Sequence, residues 1–269
     1  MKLLILLTIL LFSCSGLEQS EQEKVRKQNV SKQRIYRKSD EKLYTLSAPT
    51  SQKRELYPWE KGYIGEYPKI TKEFFRCKGS SSNLARLTKA QNGEMVHYVD
   101  CRGSEQHSLP MIDNKEFVYP ILIQLLNYLQ EKTNKKVVVT CGHRCPVHNT
   151  YSDGSIQNQA SKHMIGAEVD FYVQGMEDKG EEIANLLMKY YENDKGYETF
   201  NRYKDSKDVS TPPWYNKEVF IKLYQKNEGR DLDNRHPYPY ISIQVRFDRK
   251  KNEKVIYTWQ KASQGYQRF

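Results

Sequence analysis

The segment Ser161-Lys162-His163-Met164-Ile165-Gly166-Ala167-Glu168-Val169-Asp170 limits what this 269-residue chain can fold into more than any other. It leads straight into the strand-like run Val169 to Val173. On a regular strand, His163 and Asp170 would stand roughly 23 Å apart at about 3.3 Å per residue. Gly166 between them permits a turn that returns both side chains to one point. Imidazole and carboxylate are typical zinc ligands, and a catalytic zinc takes three protein ligands and leaves one position for water. The spacing therefore calls for a sharp turn before a strand, and for a third ligand from elsewhere in the chain.

The apolar pattern supplies the frame around that turn. Val118, Ile121, Leu122, Leu125, Leu126 and Leu129 share one helical face and predict a helix over 116–133. Lys136-Val137-Val138-Val139-Thr140 reads as a buried strand. Further helices are expected over 179–193 and 216–225. Tyr240 to Asp248 alternates, with Ile241, Ile243, Val245 and Phe247 on one side and Tyr240, Ser242, Gln244 and Arg246 on the other; a following strand is expected over 254–259. Helices and a mainly antiparallel sheet in one domain make the expected fold class α+β.

Ser161, His163, Gly166 and Asp170 resemble the Ser-x-His-x-x-Gly-x-Ala-x-Asp signature of the zinc D-alanyl-D-alanine carboxypeptidases and their murein endopeptidase relatives. The metal-binding fold of that family is shared with hedgehog signalling domains. Glu168 stands where the family has alanine; it offers a further ligand or base near the metal, or an ion pair with a lysine or arginine, and the ion pair is the favoured expectation. Thr140-Cys141-Gly142-His143-Arg144 is similar to the family's Ser-Gly-Tyr-Arg stretch, and the likeness is best over residues 115–175. The resemblance implies zinc bound by His163 and Asp170, a hydrogen bond from Ser161 that orients His163, and Arg144 holding a substrate carboxylate. It also implies a histidine on a late strand, but the His-x-His slots of Tyr240–Asp248 read Ser242 and Gln244. Asp233-Asn234-Arg235-His236 offers His236 as third ligand and Asp233 as the base. His97, His107 and His148 remain as other sources of a ligand.

The N-terminus sets the expected address. The apolar run Leu3 to Phe12 is too short to span a bilayer and suits a signal-peptide core, and Leu11-Phe12-Ser13-Cys14 resembles a lipobox with Cys14 as the lipidation site. The expectation is a lipoprotein signal peptide over 1–14, a polar tether over 15–57 and a domain similar to the D,D-peptidases over 58–269. An exported envelope lipoprotein, at the periplasmic face or the cell surface, would meet the membrane through its lipid anchor. Export makes disulfides the default for Cys77, Cys101, Cys141 and Cys145, with Cys77–Cys101 and Cys141–Cys145 as the favoured pairs. The rival arrangement is a metal cluster of Cys141, His143, Cys145 and His148. The net charge of +10 suits anionic envelope polymers or head groups, and no nucleic-acid-binding module is recognisable. The expected function is a zinc peptidase of the D-alanyl-D-alanine carboxypeptidase type acting on peptidoglycan stem peptides. The alternative is a non-catalytic envelope lipoprotein that keeps the fold and binds cell-wall peptide.

Overall fold

A six-stranded antiparallel sheet organises the computed structural model, which describes residues 62–89, 93–153 and 161–268, all within the unit Leu56–Phe269. The proposed signal segment, Cys14, the tether and the expected domain start near residue 58 lie outside the described residues. In chain order the strands are β1 (Val137–Cys141), β2 (Glu168–Val173), β3 (Asn201–Arg202), β4 (Trp214–Tyr215), β5 (Val219–Tyr224) and β6 (Tyr240–Val245). They lie in the order β1-β2-β6-β5-β4-β3, and every neighbouring pair is antiparallel. The helices are α1 (Pro120–Thr133), α2 (Pro146–Asp153), α3 (Gly180–Lys189) and α4 (Trp259–Gln264). The fold is α+β.

Strand alternation gives the sheet two unlike faces. Val137 and Val139, Val169, Phe171 and Val173, Val219, Ile221 and Leu223, and Ile241, Ile243 and Val245 are buried in one core with α1 and α3. Leu122, Leu125, Leu126 and Leu129 of α1 are fully buried there, as are Ile183, Ala184 and Leu187 of α3. The opposite face carries the polar partners: Asp170 lies across from Ser242, and Glu168 across from Gln244. A register shift between Val139 and Cys141 sets Cys141 opposite Asp170.

Three expected elements differ. The first helix begins at Pro120, whose missing N–H costs nothing in the first turn, while Lys115–Glu116 pairs with Met111–Ile112 as a short ladder. The expected helix over 216–225 is instead β5, where Val219, Ile221 and Leu223 are buried in alternation. Apolar residues on both sides of that strand had masked its period of two. The expected strand over 254–259 divides: Glu253–Lys254 pairs with Phe247–Asp248, and Thr258 caps α4 by accepting from the Lys261 backbone N–H at 3.1 Å.

Candidate metal centre

His163 reaches the polar face of the sheet because the chain turns sharply in front of β2. Lys162–Ile165 forms a single 3-10 turn, and Gly166 closes it at φ +68°. A Cβ at Gly166 would lie 3.0 Å from the Phe117 carbonyl oxygen, so glycine serves both the backbone angle and the close approach. Ser161 Oγ accepts from the His163 backbone N–H at 3.2 Å. Its contact is thus a cap on the turn, where a bond to the imidazole was expected. The ring is oriented by Gly142, whose carbonyl takes Nδ1–H at 2.7 Å. That bond directs the Nε2 lone pair outward, the usual arrangement for a metal-binding histidine.

Two carboxylates face that nitrogen. Asp170 Oδ2 lies 3.5 Å and Glu168 Oε1 3.7 Å from His163 Nε2. Both separations exceed a hydrogen bond. The Asp170 separation is close to the edge of a tetrahedron, about 3.4 Å, for nitrogen and oxygen bound about 2.0–2.1 Å from a common ion. Asn234 holds Asp170 by donating Nδ2–H to Oδ2 at 2.9 Å, and Thr140 in turn donates to Asn234 Oδ1 at 2.6 Å. Ser242 and Gln244 both donate to Glu168 Oε1, at 3.0 and 2.7 Å. Glu168 therefore pairs with these two side chains and His163, and the expected lysine or arginine partner is replaced by neutral donors across the ladder.

The electrostatics match this geometry. Burial disfavours the His163 imidazolium, but Cys141, Glu168 and Asp170 outweigh it and hold the ring well above its ordinary value. Burial likewise opposes the Asp170 carboxylate, and His163, Arg144 and Asn234 overcome that, leaving it below its ordinary value. The ligand atoms of Cys141, His163 and Asp170 lie within 4.8 Å of one another. Cys141 Sγ sits on the Nδ1 side of the ring at 3.4 Å and accepts from Arg144 Nε at 3.0 Å, and burial pushes its thiol up to about 12. Glu168, like His236, does not join that group, so the ligand pair that fits a zinc ion here is His163 with Asp170.

The remaining expected residues stand elsewhere. Arg144 is only 5% exposed and donates to Asp233 Oδ2 at 2.7 Å and Asp231 Oδ2 at 2.5 Å, so the protein's own carboxylates occupy the guanidinium. Asp233 also binds His148 Nε2 at 3.0 Å through Oδ1, and His148 Nδ1 meets Asp100 at 2.6 Å. Despite burial, His148 and Arg144 hold the Asp233 carboxyl far below the usual range, which makes it a weak base. Burial opposes charge on His148 as well, but Asp100 and Asp233 lift it to about 10. His236 packs against Tyr172 and Tyr240, with ring centroids 5.1 and 5.8 Å away, and neither ring nitrogen has a hydrogen-bond partner. It does not join the ligand atoms around His163. His97 is exposed on the Met95–Tyr98 strand.

Neither expected disulfide is present. All four described cysteines are free; Cys77 Sγ and Cys101 Sγ are 3.7 Å apart, well beyond the S–S bond of about 2.05 Å. Cys141 faces His163, whereas Cys145 joins Cys77 and Cys101 in a separate cluster, because the chain turns into α2 between them. The same divergence dissolves the rival cluster of Cys141, His143, Cys145 and His148. Burial keeps the His143 ring neutral, with its value lowered to about 3.

A groove of about 550 Å³ opens beside Gln244, lined also by Lys162, Phe220, Lys222 and Arg246. Lys222 is paired with Asp208. Sequence reasoning missed Asp100, Asp231 and Asn234 as partners of the site, since each acts on a residue more than forty positions away.

Residues 99–204 match the family model described as Peptidase M15, a stretch that contains Cys141, Arg144, His163, Glu168 and Asp170. The match covers less than half of the chain and supports a zinc peptidase of that family. The chain matches no curated protein and no solved structure.

Proposed function

We propose that this protein is a zinc peptidase of the D-alanyl-D-alanine carboxypeptidase type, with His163 and Asp170 as metal ligands and Glu168 beside them as the base. The observation that carries the reading is the convergence of Asp170 Oδ2 and Glu168 Oε1 on His163 Nε2, at 3.5 and 3.7 Å. Zinc bound there would polarise a scissile carbonyl and bring the acidity of water close to neutral pH. Ser242 and Gln244 hold Glu168 beside His163, where its carboxylate would accept a proton from water and return it to the leaving amine.

Substrate binding follows from the groove. With Arg144 occupied, the C-terminal carboxylate of a peptide would meet Lys162 and Arg246 in the groove, which donate to the Val245 and Asn216 carbonyls at 2.6 and 2.7 Å. Peptidoglycan stem peptides end in such a carboxylate, and a lipid anchor on Cys14 would hold the enzyme at the bacterial envelope beside them. The test is release of terminal D-alanine from a stem pentapeptide, followed by mass spectrometry with and without chelator. Chelator-sensitive release supports the peptidase.

A second reading has its own observation. Ser242 occupies a slot where the family has a histidine, and Asp233 is fully engaged by Arg144 and His148. A binding protein that retains the fold would bind the pentapeptide without releasing D-alanine.

A further inference from the structure

Three cysteines and a histidine converge in a group that shares no residue with the one at His163. The ligand atoms of Cys77, Cys101, His107 and Cys145 lie within 4.8 Å of one another, and all four side chains are buried. The separation of 3.7 Å between Cys77 Sγ and Cys101 Sγ is too long for a disulfide. It does match the edge of a zinc–thiolate tetrahedron, about 3.8 Å for sulfurs about 2.3 Å from the ion.

The histidine is set for the same purpose. His107 Nδ1 lies 3.0 Å from the Ser108 carbonyl, which fixes the proton on that nitrogen. Nε2 is left buried without a hydrogen-bond partner, an arrangement that is costly unless something else binds it. The sulfurs are cradled by backbone donors: Gly103 N–H points to Cys101 Sγ at 3.4 Å and His148 N–H to Cys145 Sγ at 3.3 Å. The chain also approaches closely at Gly79, where a Cβ would fall 2.1 Å from Cys101 Sγ. Tyr266, from the far end of the chain, closes the cluster edge-on to His107 at 5.4 Å.

We propose that Cys77, Cys101, His107 and Cys145 form a closed, structural Cys3His zinc site, separate from the centre at His163. Four protein ligands leave no position for water, so the site is structural in kind, and thiolates with one imidazole select zinc over hard cations. Its position gives it a task. Cys101 follows Asp100, and Cys145 precedes α2, which carries His148. A bound ion therefore ties together the two segments whose side chains meet at the Asp100–His148 contact of 2.6 Å. Through His148 the site positions Asp233 and hence Arg144.

The test uses the full chain, purified with its metal and also loaded with cobalt(II). Zinc-edge X-ray absorption of the unaltered protein is expected to show sulfur at about 2.3 Å, and the cobalt form a strong thiolate charge-transfer band. The band should survive His163→Ala and vanish in Cys101→Ser, with zinc falling from about two ions per chain to about one in either variant. A zinc shell without sulfur in the unaltered protein would overturn the proposal, as would a Cys77–Cys101 disulfide found by mass spectrometry. Both of those readouts stand even if Cys101→Ser fails to fold.

Discussion

Gln244 donates its side-chain amide to Glu168 Oε1 at 2.7 Å across the ladder between β2 and β6. Ser242 reaches the same oxygen at 3.0 Å. Two departures from the family pattern, a glutamate in β2 and the Ser-x-Gln pair in β6, are therefore one arrangement. The residues that replace the expected histidines orient a carboxylate toward His163.

Loosening that carboxylate should slow turnover while the metal stays bound. Ser242→Ala and Gln244→Ala each remove one donor to Glu168, and partners of this kind are worth about 10–100-fold in activity. Release of D-alanine from the pentapeptide reads the change directly. Unchanged release in both variants would mean that Glu168 takes no part in the reaction.

Arg144 anchors a buried charge cluster. Arg144→Met leaves Asp233 without its guanidinium partner at 2.7 Å, and breaking a buried pair in this way costs about 3–5 kcal/mol. Urea unfolding should show that loss, with Arg144→Met/Asp233→Asn destabilised by less than the sum of the single variants. Strict additivity would contradict the pairing.

Gly166 should tolerate no side chain. Its φ of +68° and the nearby Phe117 carbonyl make Gly166→Ala unfavourable, by about 1–2 kcal/mol from the backbone angle alone. Because the turn positions His163, the variant should lose zinc affinity along with thermal stability. A variant as stable as the parent would mean that the turn relaxes freely.

Acid stability should depend on Glu116. Arg76 grips both of its oxygens at 2.9 Å and holds the carboxyl down at about 2, helped by the Leu109 N–H and Lys72. A depressed carboxyl contributes its stability above the unfolded value near 4.5 and loses it as the pH falls through about 2. Glu116→Gln should therefore lower stability at neutral pH and flatten its decline between those limits. Parallel pH profiles for the two proteins would refute the assignment.

The local features were legible in the sequence, and the long-range ones were not. The leucine spacing of α1 and the alternation of β6 are periodic patterns within single segments, and both elements are present. The Gly166 turn was readable because one residue type satisfies its backbone angle. β5 was misread because Phe220 and Tyr224 add apolar residues to its second face. The cysteine set spans Cys77 to Cys145, and spacing along the chain carries no record of which sulfurs meet. Likewise Arg144 finds Asp231 and Asp233 from nearly ninety positions away, and a free arginine looks the same in sequence.

The most direct measurement is a zinc titration of the metal-free full chain beside His163→Ala. If His163 and Asp170 hold an ion, one of two binding steps should weaken by more than about 100-fold in the variant while the thiolate step stays intact. Superimposable titrations would contradict the assignment of His163 as a ligand and, with it, the proposed metal centre.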